Sequence, residues 1–162
     1  MKPDYINMFP NAERRFALNH KVEVRSEGDT MTIKGYAALF NAVTDLGYCC
    51  EVIATGAFDD VLNDDVRCLF NHESECILGR TASGTCRIGI DNTGLWYECD
   101  LDSGNTDHVN LYRSIQRGDI NQSSFAFSVK ECSWEFGDDC DTRTIRSEEH
   151  TSELQSRQYL VC

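Results

Sequence analysis

Apolar and polar residues alternate with a period of two over several short stretches of this chain, the pattern of half-buried strands. Residues 21–25 (KVEVR) alternate, the turn formers Glu27, Gly28 and Asp29 follow, and residues 31–40 (MTIKGYAALF) resume, which predicts a hairpin. Residues 85–90 and 95–101, joined through Asp91, Asn92, Thr93 and Gly94, predict a second one. Residues 51–53 read as a short extended piece, and residues 66–70 (VRCLF) as a compact apolar strand running into Asn71 and His72. Residues 124–130 (SFAFSVK) alternate again, and residues 133–136 are expected to pair with 142–145 across Gly137, Asp138 and Asp139.

Helical spacing occurs twice. Residues 106–116 place Val109, Tyr112 and Ile115 on one face behind a capping Asn or Thr, and Gly118 ends the run. Residues 55–62 (TGAFDDVL) put Phe58, Val61 and Leu62 together and predict a shorter helix. At least six strands with two short helices and no βαβ rhythm define an α+β, mainly β chain. The expected architecture is a closed or nearly closed, antiparallel-rich β-barrel with helices outside.

Composition narrows the function. The 162 residues suit one domain, and 41% hydrophobic content is enough for a core. The net charge of −12 excludes a nucleic-acid binder, which needs clustered Lys and Arg, and disfavours contact with anionic membranes. No apolar run is long enough to cross a bilayer. The N-terminal stretch lacks the basic-then-apolar layout of an export signal, so the expected compartment is a cytoplasm. Nine cysteines are many, yet they lack the paired spacing of zinc ligands. Most read as small buried hydrophobes.

Among histidines, His72 stands out because it ends an apolar strand, where rigid scaffolds deliver reactive side chains. His20 and His108 read as surface or packing residues. Ser123 and Ser124 sit at a loop-to-strand junction. A serine hydroxyl is a weak nucleophile until a base takes its proton, and histidine is the usual base near neutrality. No G-x-S-x-G or H-E-x-x-H pattern supports another hydrolase class.

Five blocks in order, ERRF with VEVR, IKGYAALFN, EVIATGAFDDVL, VRCLFNHE with ILGRTASGT and DNTGLWYECDL, and RSIQRGDINQSSFAFSV, resemble the prohead (capsid-maturation) serine protease family of tailed phages. The resemblance spans Glu13 to about Ile145. It implies an assemblin-like barrel, His72 as general base and Ser124 as nucleophile, with no metal or organic cofactor. It also implies that the partners are the phage scaffold and major capsid protein, that the enzyme cleaves itself, and that it works inside the assembling prohead in the host cytoplasm. Self-association is left open, as is a catalytically inactive capsid-assembly protein or pseudo-protease. Gln122 and Ser123 depart from the family, which often has Gly and a larger apolar residue there. Alternation favours Ser124 over Ser123 as nucleophile, because Phe125 and Phe127 then face the other way. Arg80 is a further candidate for steadying the oxyanion, with a solvated arginine as its ordinary reading.

A second resemblance concerns the tail. Residues 146–162 (RSEEHTSELQSRQYLVC) resemble an in-frame translation of a short-read sequencing adapter with its barcode and constant end. That implies no chemistry for Glu148, Glu149, His150 or Cys162. The expected organisation is a flexible leader over 1–18, an incomplete protease domain over 19–145 and an artefactual tail over 146–162, with the third triad member and the barrel-closing segment lost beyond Ile145.

Overall fold

The structure is a computed structural model, and it describes residues 13–16, 21–71, 73, 75–148 and 153–157. Among these residues the chain forms thirteen strands and one α-helix, the mainly β, α+β class expected. In chain order the elements are β1 (Glu13–Phe16), β2 (Glu23–Glu27), β3 (Thr30–Leu39), β4 (Thr44–Asp45), β5 (Cys50–Ile53), β6 (Arg67–Phe70) and β7 (Ile77–Arg80). They continue as β8 (Cys86–Ile90), β9 (Gly94–Leu101), α1 (Thr106–Arg117), β10 (Gln122–Phe127), β11 (Val129–Glu135), β12 (Thr142–Glu148) and β13 (Glu153–Arg157). The helix is not long and apolar enough to cross a membrane.

Both expected hairpins form. β2 pairs with β3 from Glu27 opposite Thr30, and β8 pairs with β9 from Ile90 opposite Leu95. β11 and β12 pair as the sequence suggests, with Ser133 opposite Thr144. The helix starts where expected: Asn105 caps it by accepting a bond from the Asp107 N–H, and Gly118 ends it at φ 86°, a left-handed conformation natural to glycine.

Two expectations are corrected. Residues 55–63 are not a helix but consecutive turns, closed by bonds three residues apart such as Val61 N–H to Phe58 O (3.1 Å) and Asp64 N–H to Val61 O (3.0 Å). The segment is too short to nucleate an α-helix alone, and the core asks only for Ala57, Phe58 and Val61, leaving Leu62 exposed. Among the described residues the strands also do not close into a barrel. The strands form three sheets, ordered β1-β10-β13-β6-β7, β11-β12-β5-β4 and β2-β3-β9-β8, each ending in edge strands. Closure requires continuous ladders of consistent tilt and stagger. Here β4 has two residues, and register shifts interrupt the β3–β9, β6–β7 and β11–β12 ladders.

The sheets share one core of Ile33, Phe58, Leu95, Tyr97, Phe125, Phe127 and their neighbours. Phe58 from the turn segment meets Phe40 of the residue after β3 at 5.9 Å and Phe125 edge-on at 5.6 Å, while Phe125 stacks on Phe127 at 4.7 Å. These rings fix the inner face of β10. Cys50 and Cys140 form a disulfide, a pairing the sequence spacing does not announce. Cys49, Cys68, Cys86 and Cys99 are free and buried, as expected of most of the cysteines. Strands also form inside the segments read as leader (β1) and tail (β13).

Candidate active site

Strand β10 carries both candidate serines, and its alternation separates them. Ser123 shares the inward face with Phe125 and Phe127. Its Oγ lies 2.7 Å from the Tyr97 hydroxyl, and both residues are buried. Burial pushes the Tyr97 phenol far above its ordinary range, so it stays a neutral hydrogen-bonding partner. Gly35 on β3 makes room for this pair: a Cβ there would meet the Tyr97 hydroxyl at 3.1 Å and Ser123 Oγ at 3.2 Å. Ser124 points to the opposite face of the sheet, as alternation requires. It is fully buried, with Phe16 of β1 and Gln155 of β13 in register on either side.

His72 lies outside the described residues, as does His20. The described residues on either side of position 72 form a turn. Asn71 takes φ 59°, the Glu73 N–H bonds to Phe70 O (3.1 Å), and the Phe70 N–H bonds to Cys76 O (2.9 Å). The chain therefore reverses immediately after β6. Strand order and direction bring this turn's base to the serine strand. β13 runs parallel to β6 and antiparallel to β10, with Phe70 opposite Ser156 and Ser156 opposite Ser123. The end of β6 and the start of β10 thus share one end of the sheet, two strand spacings (about 10 Å) apart.

The other candidates are occupied elsewhere. His108 is buried and staples the helix to the sheet. Its Nδ1 accepts from the Asp102 N–H (3.0 Å), and Nε2 lies 3.1 Å from Ile77 O, which requires the Nε2–H tautomer. This agrees with a packing role. Arg80 grips Asp65 through Nε at 2.7 Å and sits at the end of β7 paired with Arg67, away from the His72 turn. Three strand spacings, about 14 Å, separate β7 from β10, so Arg80 is no oxyanion partner for Ser124. Among the described residues no group of three or more His, Cys, Asp or Glu is arranged to hold a metal ion.

A family model described as caudovirus prohead serine protease matches residues 20–152. The chain belongs to that family. No curated protein and no solved structure gives a match. The prohead protease match covers β2 to β12, positions 72 and 124 among them, and it runs past Ile145. Sequence reasoning passed over Tyr97 and Gly35. Tyr97 reads as one more core aromatic in an alternating strand. Gly35 carried a usable signal, since a glycine inside a strand marks a close approach.

Proposed function

We propose that this chain is a serine endopeptidase of prohead maturation, in which Ser124 attacks the scissile carbonyl and His72 takes its proton. An acyl-enzyme forms and water resolves it, with the imidazole returning the proton to the leaving amine. The substrates are the internal scaffold and the scaffolding segment of the major capsid protein, with cleavage of the chain itself as a further outcome, inside the assembling shell in the host cytoplasm. No metal or organic cofactor takes part. The observation that carries this reading is strand placement within a family of serine proteases: β6, which leads into position 72, ends at the sheet end where β10, which bears Ser124, begins, with β13 between the two. Ser123 faces the core, where its partner is the neutral Tyr97 hydroxyl, a group that is no base for it.

The test is processing of co-expressed scaffold together with labelling by a fluorophosphonate probe. Ser124→Ala and His72→Ala are each expected to abolish both, while Ser123→Ala retains labelling. Normal cleavage by either of the first two variants removes that residue from the mechanism. One observation favours a second reading, a catalytically inactive assembly protein: Ser124 has 0% exposure, and a nucleophile must be reached. Absence of labelling in the unaltered chain selects that reading.

A further inference from the structure

A cavity of about 360 Å³ opens between the β6–β7 turn and helix α1. Its size is that of a small-ligand or side-chain pocket, on the order of a dozen water volumes. It borders both segments that the proposed chemistry uses. Phe70 and Glu73 come from the turn around His72, and Ile120 comes from the loop that enters β10 two residues later. The floor is apolar, made by Leu78, Leu111 and Ile120, all buried, with Phe70 beside them.

The mouth has a different character. Glu73, Glu75 and Asp107 line it, and among the described residues no lysine or arginine does. Among the described residues, no lysine or arginine pairs with any of the three. The Cys76 thiol at the mouth registers their convergence. Its hydrogen bond to Glu73, then desolvation, then the charges of Glu73, Asp107 and Glu75 all raise its pKa. His108, also on the wall, has both ring nitrogens engaged and offers nothing to a ligand.

An apolar floor beneath an acidic mouth matches one kind of amino-acid side chain. Lysine and arginine lay a hydrocarbon stem on apolar surface and keep a cationic head in water. An acidic side chain is repelled at the mouth, and a purely apolar one leaves the carboxylates without a counter-charge. We propose that this cavity is a substrate subsite for a lysine or arginine side chain of the polypeptide being cleaved. The inference rests on the reading of Ser124 and its surroundings as a peptidase site, and it names the residue class that site prefers.

The experiment uses the full chain carrying Ser124→Ala, so that peptides bind without turnover. Fluorescent peptides carry Lys, norleucine or Glu at each position in turn, and affinity is read by anisotropy. One position is expected at which Lys binds about tenfold more tightly than norleucine, a margin one charge-assisted contact supplies. Glu at that position should bind more weakly than either. E73Q/E75Q/D107N is expected to erase the difference. E23Q/E27Q/D29N, which removes the same charge from the β2–β3 hairpin, should preserve it. Ser114→Phe, which fills the same cavity without changing charge, should weaken the Lys peptide and lower its advantage. The proposal is overturned if no position prefers Lys, if the preference survives both cavity variants, if both charge variants reduce it equally, or if no peptide binds. A Lys preference in a chain whose unaltered Ser124 never labels with the fluorophosphonate leaves the pocket standing and removes the peptidase.

Discussion

At the scale of single residues, the Tyr97–Ser123 contact decides what β10 presents on each face. Both hydroxyls are buried, so each depends on the other for its hydrogen bond. Tyr97→Phe is therefore expected to cost about 1–3 kcal/mol, the penalty for stranding a buried polar partner, measured by urea denaturation at pH 7. The same residue gives an alkaline signature. The fold raises the Tyr97 pKa, so its protonated form is what folding favours. That contribution is complete below the unfolded value near 10 and falls away as pH climbs beyond it. Part of the wild-type loss of stability above pH 10 should be missing in Tyr97→Phe, and an identical slope in both proteins would falsify this assignment. The two serines were legible because alternation is local and Phe125 and Phe127 declare which face is inside. Their partner was not, because Tyr97 is 26 residues away and cross-sheet contact leaves no periodic trace.

Elements show a similar division between local and distant causes. Hairpins β2–β3 and β8–β9 could be read because their turns carry residues such as Gly28 and Asp91 that bend the chain unaided. β7 was missed because it is four residues long and contains Gly79, so no alternation develops. The stretch 55–62 reads as a helix because successive turns and a helix place apolar residues at nearly the same spacing. The two structures differ at Leu62, and that difference can be measured. Phe58→Ala is expected to cost about 3–5 kcal/mol, since it removes a fully buried ring between Phe40 and Phe125. Leu62→Ala is expected to fall within about 0.5 kcal/mol of wild type, because the side chain is exposed. Equal costs at both positions would restore the helix. The three-strand ladder β3–β9–β8 carries its own pH dependence. Asp100 receives two bonds from Arg87 (2.7 and 3.0 Å) and one from Thr32 (2.8 Å), and the guanidinium chiefly holds its carboxyl below the usual range. A depressed folded value means the stabilisation is present above about pH 4 and lost as pH falls through the folded pKa. Asp100→Asn should flatten the stability profile below about pH 4, read by denaturation at each pH, with the largest loss relative to wild type at neutrality.

Across the whole molecule, the connection that no local pattern announces is the parallel pairing of β12 with β5, Arg143 opposite Glu51. Residues 92 positions apart must meet in one register, and a one-residue slip would turn every side chain of β12 to the wrong face. Two devices fix that register. The Cys50–Cys140 disulfide ties β5 to the approach of β12, and Glu51, 2% exposed, binds two arginines. Arg143 Nη1 donates at 3.2 Å, and Arg15 Nη2 from β1 donates at 2.8 Å while its guanidinium lies 5.5 Å from the Phe127 ring centre. The network therefore spans the sheet that contains β5 and β12 and the sheet that contains the candidate nucleophile. Glu51→Gln keeps the shape but leaves buried cationic charge uncompensated, and is expected to cost about 3–5 kcal/mol. R15M/E51L/R143M removes all three charges together and should cost less than the single change, because desolvating ions consumes most of what their attraction supplies. The comparison separates stability from specificity. If the triple variant is stable yet gives poorly dispersed amide resonances, the charges serve to select the register. If it is less stable than Glu51→Gln, they hold the sheets together by attraction, and the register rests on the disulfide and on the packing of Ile145.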